Sequence, residues 1–279
     1  MPDLIIHIAF ALLISILFKL KNWKLIITGA ILPDISRILI TILNFLKFDE
    51  LNTYLLLDPL HSPFINIFLS VSIALLFNNF LRNFALIYLG TLSHYFLDYL
   101  QFAGSFGQTL FYPFYMEQFS LNLFYGGNIL VNAFGVIFIL IIIYCIKEKN
   151  SLTISKNYYL FIIPLIISLT IPIFTTNLLL ENNIHGVDFV NNPEKYNNKE
   201  VSLYDSQVIS LSPIKIKELG KLFTLETKEN LKLNSGITIT GIYKEKKIFV
   251  ENIFFNTKNK YYFSLIGLLF YIYLIFKKD

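Results

Sequence analysis

Cysteine is all but missing from this chain. With Cys145 alone in 279 residues, no intramolecular disulfide can form. Set inside an apolar run, that residue reads as small apolar filler. Charge is scarce too: 15% of the residues are Asp, Glu, Lys or Arg, against about 25% in a soluble globular domain. The net charge is only +4 and the lysines sit scattered at segment ends. That excludes a basic patch, so no nucleic-acid partner is expected. Glycine is sparse at 12 residues, while Phe numbers 28. Helix packing is therefore expected through bulky Ile, Leu and Phe, not through small-residue seams. The start, Met1-Pro2-Asp3, lacks the positive region and the cleavage site of a secretory signal, so the first apolar segment is expected to stay.

What remains is mostly hydrocarbon. The chain is 55% hydrophobic, with mean hydropathy +0.59. Apolar runs lie at roughly 4–18, 25–46, 61–81, 83–103, 128–146, 158–180 and 261–276. About 20 helical residues cross a bilayer. The expectation is an all-α polytopic membrane bundle of about seven transmembrane helices, carrying a small extracytoplasmic β-rich domain. Its parts would be a membrane helical domain at 1–180, the β-rich block at 181–260, and a C-terminal transmembrane helix at 261–279. Lys19, Lys21, Lys24, Arg82, Lys147, Lys149, Lys156, Lys277 and Lys278 fall on one side if those spans alternate. By the positive-inside bias that side is the cytoplasm. The N-terminus and 181–260 would then lie outside an inner (cytoplasmic) membrane, with membrane lipids as partners.

The block 181–260 is polar and rich in Asn and Lys. Gly236–Tyr243 and Ile248–Phe255 alternate as strands do, around the polar turn Lys244–Lys247, and predict a hairpin. Val201–Leu211 and Lys221–Thr227 can supply further strands, giving an OB-like barrel as one option. The stretch 181–200, with Asn191-Asn192-Pro193 and His185, reads as a linker.

Against this background three of the four histidines are out of place. His7, His61 and His94 lie inside or at the edge of apolar runs, as do Asp34 and Asp98. Each costs several kcal/mol in hydrocarbon unless it is paired or binds a metal. His94 and Asp98 are four residues apart, on one helix face; they can share a metal or simply pair. Gly29-Ala30-Ile31-Leu32-Pro33-Asp34 predicts a helix break with Asp34 just past it, where Arg37 can pair with it. In His61-Ser62-Pro63, Ser62 suits a helix cap and Pro63 a first turn. On the orientation above, all five groups share a layer between midplane and outer surface. Three His and two Asp fit a divalent-metal site, with zinc the first choice.

The same residues carry a resemblance. Gly-x-x-x-Pro-Asp, His-Ser and Ser-His-x-x-x-Asp, with an early helical His, resemble the membrane-bound metal-dependent hydrolase family, also described as LexA-binding, inner-membrane-associated hydrolases. The resemblance covers roughly 1–147 and includes a Gly-containing segment, Gly104–Pro113. It implies that His7, Asp34, His61, His94 and Asp98 form the metal-binding or catalytic set, with Asp34 a ligand or general base. Two positions depart from the pattern: Ser36 stands where the family has a second Asp, and Leu56 where it has a further His. Those departures point to a single-metal or degenerate centre, and Asp58 can compensate in part.

Two functional classes follow. One is an integral-membrane metal-dependent hydrolase acting on a lipid-like ester or phosphoester through metal-activated water. The other is a non-enzymatic membrane anchor or assembly protein that presents 181–260 to an external protein or polymer partner. A transporter using the same groups as an ion path is a variant of the second.

Overall fold

Proline and asparagine cut the apolar runs into shorter helices than composition implies. The computed structural model describes residues 4–101, 109–121, 123, 133–140, 152–256 and 259–276. Its helices are Leu4–Leu17 (α1), Trp23–Ile31 (α2), Ile35–Phe45 (α3), Glu50–Leu57 (α4), Pro63–Leu75 (α5), Phe80–Leu100 (α6), residues 133–140 (α7), Ile162–Glu181 (α8), Val187–Asn191 (α9) and Asn259–Phe276 (α10). Asn22 and Asn79, both at φ 63°, turn the chain into α2 and α6. Pro33 sits in the 3-10 turn Leu32–Asp34 between α2 and α3, and Pro59 in the 3-10 turn Asp58–Leu60 after α4. Pro63 opens α5, where the Ser62 hydroxyl accepts from the Ile65 amide at 3.4 Å.

This overturns the bundle of about seven transmembrane helices. Among the described residues two stretches are long and apolar enough to cross a membrane, Trp23–Phe45 and Tyr158–Glu181. A third candidate, Glu50–Leu60 with Pro63–Leu75, is bent by 72° at His61 and Ser62. The reasons are local. α1 has 14 residues and α5 has 13, too short to span alone when about 20 are needed. α6 has the length but carries Arg82, Asn83, His94 and Asp98. Most of the run at 128–146, with Cys145, lies outside the described residues, as do much of the Gly104–Pro113 segment and the side chain of His185.

The tightest helix contact also runs against expectation. α2 and α6 meet through Gly29, Ala30, Gly90 and Thr91. A Cβ on Gly29 would stand 1.8 Å from the Ile87 carbonyl oxygen, and one on Gly90 would stand 2.0 Å from that of Ile26. Two reciprocal glycines thus let the backbones touch, and the Thr91 hydroxyl donates to the Gly29 carbonyl at 3.1 Å. This is a small-residue seam of the kind that packs helices in membranes. Gly29 therefore serves close approach, while Pro33 makes the break.

Past α9 the chain forms five strands: Lys199–Leu211 (β1), Ile214–Glu218 (β2), Lys221–Glu226 (β3), Gly236–Lys244 (β4) and Lys247–Asn256 (β5). They close into a barrel in the order β1-β2-β3-β5-β4. The β3–β5 pair is parallel and the others are antiparallel. Every second residue points inward: Val201, Leu203, Ile237, Ile239, Phe223 and Leu225 are buried together. The stretch 181–200 is not a linker. Its α9 inserts Phe189 and Val190, both 0% exposed, into the barrel core, and Phe189 stacks on Phe223 at 5.0 Å. Asp188 fastens the segment by accepting from Asn192 at 2.6 Å and Tyr196 at 3.1 Å. The barrel meets the helices through the Lys217–Glu50 ion pair and through Ile184, Val187 and Leu219, which pack with Leu55 and Leu60.

Candidate metal centre

Each of the five polar groups comes from a position where local structure fixes its aim. His7 is on the second turn of α1, and Asp34 closes the 3-10 turn made by Pro33. His61 follows the turn of Pro59, with φ −86° and ψ 49°, neither helical nor extended. His94 and Asp98 share one face of α6. Two of the five thus sit at helix breaks, where freed backbone groups are tolerated at membrane depth only inside protein or beside a cavity.

The structure brings all five together. His61 Nε2 lies 3.1 Å from His94 Nε2. Asp98 Oδ2 is 3.3 Å from the first and 3.2 Å from the second. Asp34 Oδ1 is 3.8 Å from His61 Nε2 and 3.9 Å from His94 Nε2. These spacings bracket the edge of about 3.3 Å that joins two donors of a tetrahedral ion with bonds of about 2.0 Å. His7 stands slightly apart. Its ring stacks on His94 at 3.7 Å, nearly parallel, and its Nε2 is 3.6 Å from Asp98 Oδ1. Two sets of three donors are close enough to hold an ion, His7–His94–Asp98 and Asp34–His61–His94, and His94 belongs to both.

Hydrogen bonding supports the same chemistry. His94 Nδ1 donates to the Ala30 carbonyl at 2.7 Å, since a carbonyl can only accept. That bond fixes the tautomer and leaves the Nε2 lone pair facing His61 and Asp98, as in histidines that ligate a metal. Both carboxylate oxygens of Asp98 and both ring nitrogens of His7 are buried without a hydrogen bond of acceptable geometry. A carboxylate left so is costly unless a cation offsets its charge. The donor set, imidazole and carboxylate, suits zinc.

Access is one-sided. The side chains of His7, His94 and Asp98 are 0% exposed and that of His61 is 2%, while that of Asp34 is 13%. Asp34 therefore lines the approach. Arg37 does not pair with Asp34 in the way its spacing offers; its Nη2 binds Asp58 Oδ1 at 2.7 Å, and the guanidinium lies over the Tyr54 ring. This takes up Asp58, which therefore does not stand in for a missing ligand. Ser36 donates to the Pro33 carbonyl at 2.9 Å, and Leu56 is 42% exposed. Neither position where the resemblance predicts a further acid or His supplies a donor here.

Sequence reasoning passed over Asn66, Tyr95, Gly90 and the Ala30 carbonyl, all of which support the centre. Asn66 was the findable one, a buried amide in an apolar helix that invites the question asked of the histidines. Comparison with protein-family models, curated proteins and solved structures finds no match.

Proposed function

We propose that the protein is a membrane-embedded, metal-dependent hydrolase with a single-ion centre held by His61, His94 and Asp98, with Asp34 beside it and a coordination position left open for water. The observation that carries this reading is the convergence of donor atoms of His61, His94 and Asp98, 3.1–3.3 Å apart, with Asp34 Oδ1 3.8 and 3.9 Å from the two histidines, among apolar helices. The resemblance of the same residues to membrane-bound metal-dependent hydrolases supports it. A zinc ion at that position supplies Lewis acidity for a carbonyl or phosphoryl group and makes nearby water more acidic.

The chain's own residues do the rest. Ala30 holds the His94 ring in its ligating tautomer. Asp98 offers one oxygen toward His61 and His94 and the other toward His7, so it couples the two halves of the site. Asp34, on the accessible side, is placed to accept a proton from an attacking water as general base. His7 stacks on His94, shuts off the inner face and keeps bulk water out. The helices around the pocket expose large apolar side chains, Phe45 at 85% and Phe174 at 84% among them. That favours a lipid-like ester or phosphoester reaching the site from the membrane.

The orientation we propose has the barrel outside and the basic end in the cytoplasm. Leu20, Phe77, Phe80 and Leu152 pack against one hydrophobic cluster, and we take the adjoining Lys19, Lys21, Arg82 and Lys156 to share an end. The span Tyr158–Glu181 then runs from that end to α9 and the barrel, and basic ends face the cytoplasm.

The test is metal content. Full-length protein purified in detergent is measured by mass spectrometry, wild type beside His94→Ala. Near-stoichiometric zinc in the first and little in the second is expected, followed by zinc-dependent turnover of a panel of ester and phosphoester lipids. No bound metal in either protein, with equal stability, sinks the reading.

A further inference from the structure

Asn66 is 0% exposed, one turn into α5, among Phe, Ile, Leu and Val. Its side-chain nitrogen donates to the Leu60 carbonyl at 2.7 Å and to the Ser62 carbonyl at 2.9 Å, and lies 2.8 Å from the Tyr95 hydroxyl. The two carbonyls flank His61. Ser62 has a second donor, the Asn66 backbone amide at 3.0 Å. The Leu60 carbonyl, at the end of a 3-10 turn, depends on the side chain, because the chain leaves its helical path there. In a lipid-facing domain no water replaces a lost donor.

The orientation of the amide is determinate. Its nitrogen has two protons for two carbonyl oxygens, and a half-turn of the group would set its oxygen against both. The Tyr95 hydroxyl oxygen is a third acceptor, sharing one of those protons at 2.8 Å, and extends the clamp to α6. Tyr95 follows His94 in the chain, and its ring stands edge-on to His61 at 5.5 Å and to His94 at 5.6 Å. One side chain thus joins the turn that carries His61, the start of α5, and the residue next to His94.

We propose that Asn66 is a positioning residue for the metal centre, holding the His61 turn so that Nε2 faces His94 and Asp98. This rests on the metal reading above, yet its test separates the two. With Asn66→Ala the Leu60 carbonyl loses its donor, the turn relaxes, and His61 leaves its aim while His94, Asp98 and Asp34 keep theirs.

Zinc affinity is measured by chelator competition on the folded, monodisperse full-length protein. The absorption spectrum of the cobalt-loaded form reports coordination number and geometry. Asn66→Ala should weaken zinc binding by about 10- to 100-fold, as loss of a supporting hydrogen bond does at other metal sites, and its cobalt spectrum should match that of His61→Ala. In the His61→Ala background it should weaken binding less than about twofold further, because it acts through that ring. Asn66→Thr, which keeps one donor, should fall between. Wild-type affinity in Asn66→Ala overturns the proposal, as does a loss that adds in full to that of His61→Ala. Failure of both Asn66 variants to fold makes the role structural and overturns it too. If wild type binds neither zinc nor cobalt, the metal reading itself falls.

Discussion

Glu218, outside the candidate metal centre, is a carboxyl whose surroundings act against its charge. It ends β2, is 7% exposed, and accepts from the Ser206 hydroxyl at 2.5 Å. Burial pushes its carboxyl up to about 8, the charges of Asp205 and Glu50 push in the same direction, and the Ser206 hydrogen bond opposes them. A raised acid leaves stability fully present at low pH, where the folded and unfolded states are both protonated. As pH rises above the ordinary value of 4.5, the unfolded state gives up its proton first and stability falls until about pH 8. The slope is at most about 1.4 kcal/mol per pH unit. Amide exchange in β1 and β2 should therefore quicken between pH 5 and pH 8 beyond its intrinsic pH dependence, and Glu218→Gln should flatten that excess. Equal pH dependence in both proteins would show that the carboxyl ionises normally in the barrel.

Among the elements, the α2–α6 seam decides whether the centre exists at all. It sets Ala30 against His94 and so links the helix that leads to Asp34 with the helix that carries two more donors. Gly90→Ala puts a methyl group 2.0 Å from the Ile26 carbonyl oxygen. That is a backbone contact and cannot yield by a rotamer change, so the helices must part. Overpacking of this kind costs about 1–3 kcal/mol, and the 2.7 Å bond from His94 Nδ1 to Ala30 lengthens with it. Gly90→Ala should lower the melting temperature in detergent and reduce bound zinc, whereas Gly135→Ala, whose nearest neighbour would be an Ile5 side-chain atom at 3.4 Å, should change both much less. Similar losses in the two variants would remove the seam's special role. The seam was invisible beforehand because a glycine count averages over the chain, while a close approach needs only two glycines in register on facing helices. Strand alternation, by contrast, is a local pattern. The runs read as strands are β1, β3, β4 and β5, and the short β2, with Lys at its second and fourth positions, was missed.

At the scale of the whole molecule, what was legible followed from the cost of burial. His7, Asp34, His61, His94 and Asp98 stood out because no packing need explains a charge in hydrocarbon, and the structure brings those five together. The span count failed because hydropathy measures composition over a window, whereas α1 and α5 are too short to cross and α6 carries Arg82, Asn83, His94 and Asp98. With fewer spans, alternation along the chain no longer fixes sidedness, and packing carries what bears on it. The Lys24 ammonium lies 3.5 Å from the Ile275 carbonyl near the end of α10, and the Asn78 amide donates to the Thr153 carbonyl at 3.0 Å. Segments carrying basic residues thus meet in two pairs, at Lys24 and at Asn78, while Glu50 meets Lys217 of the barrel. Single cysteines at exposed Lys21 and Lys232, placed in a Cys145→Ser background, test this directly. In intact cells a membrane-impermeant maleimide should label Lys232→Cys and reach Lys21→Cys only after permeabilisation. Labelling in the opposite order would invert the molecule and put the side chain of Asp34, the accessible edge of the centre, on the path from the cytoplasm instead.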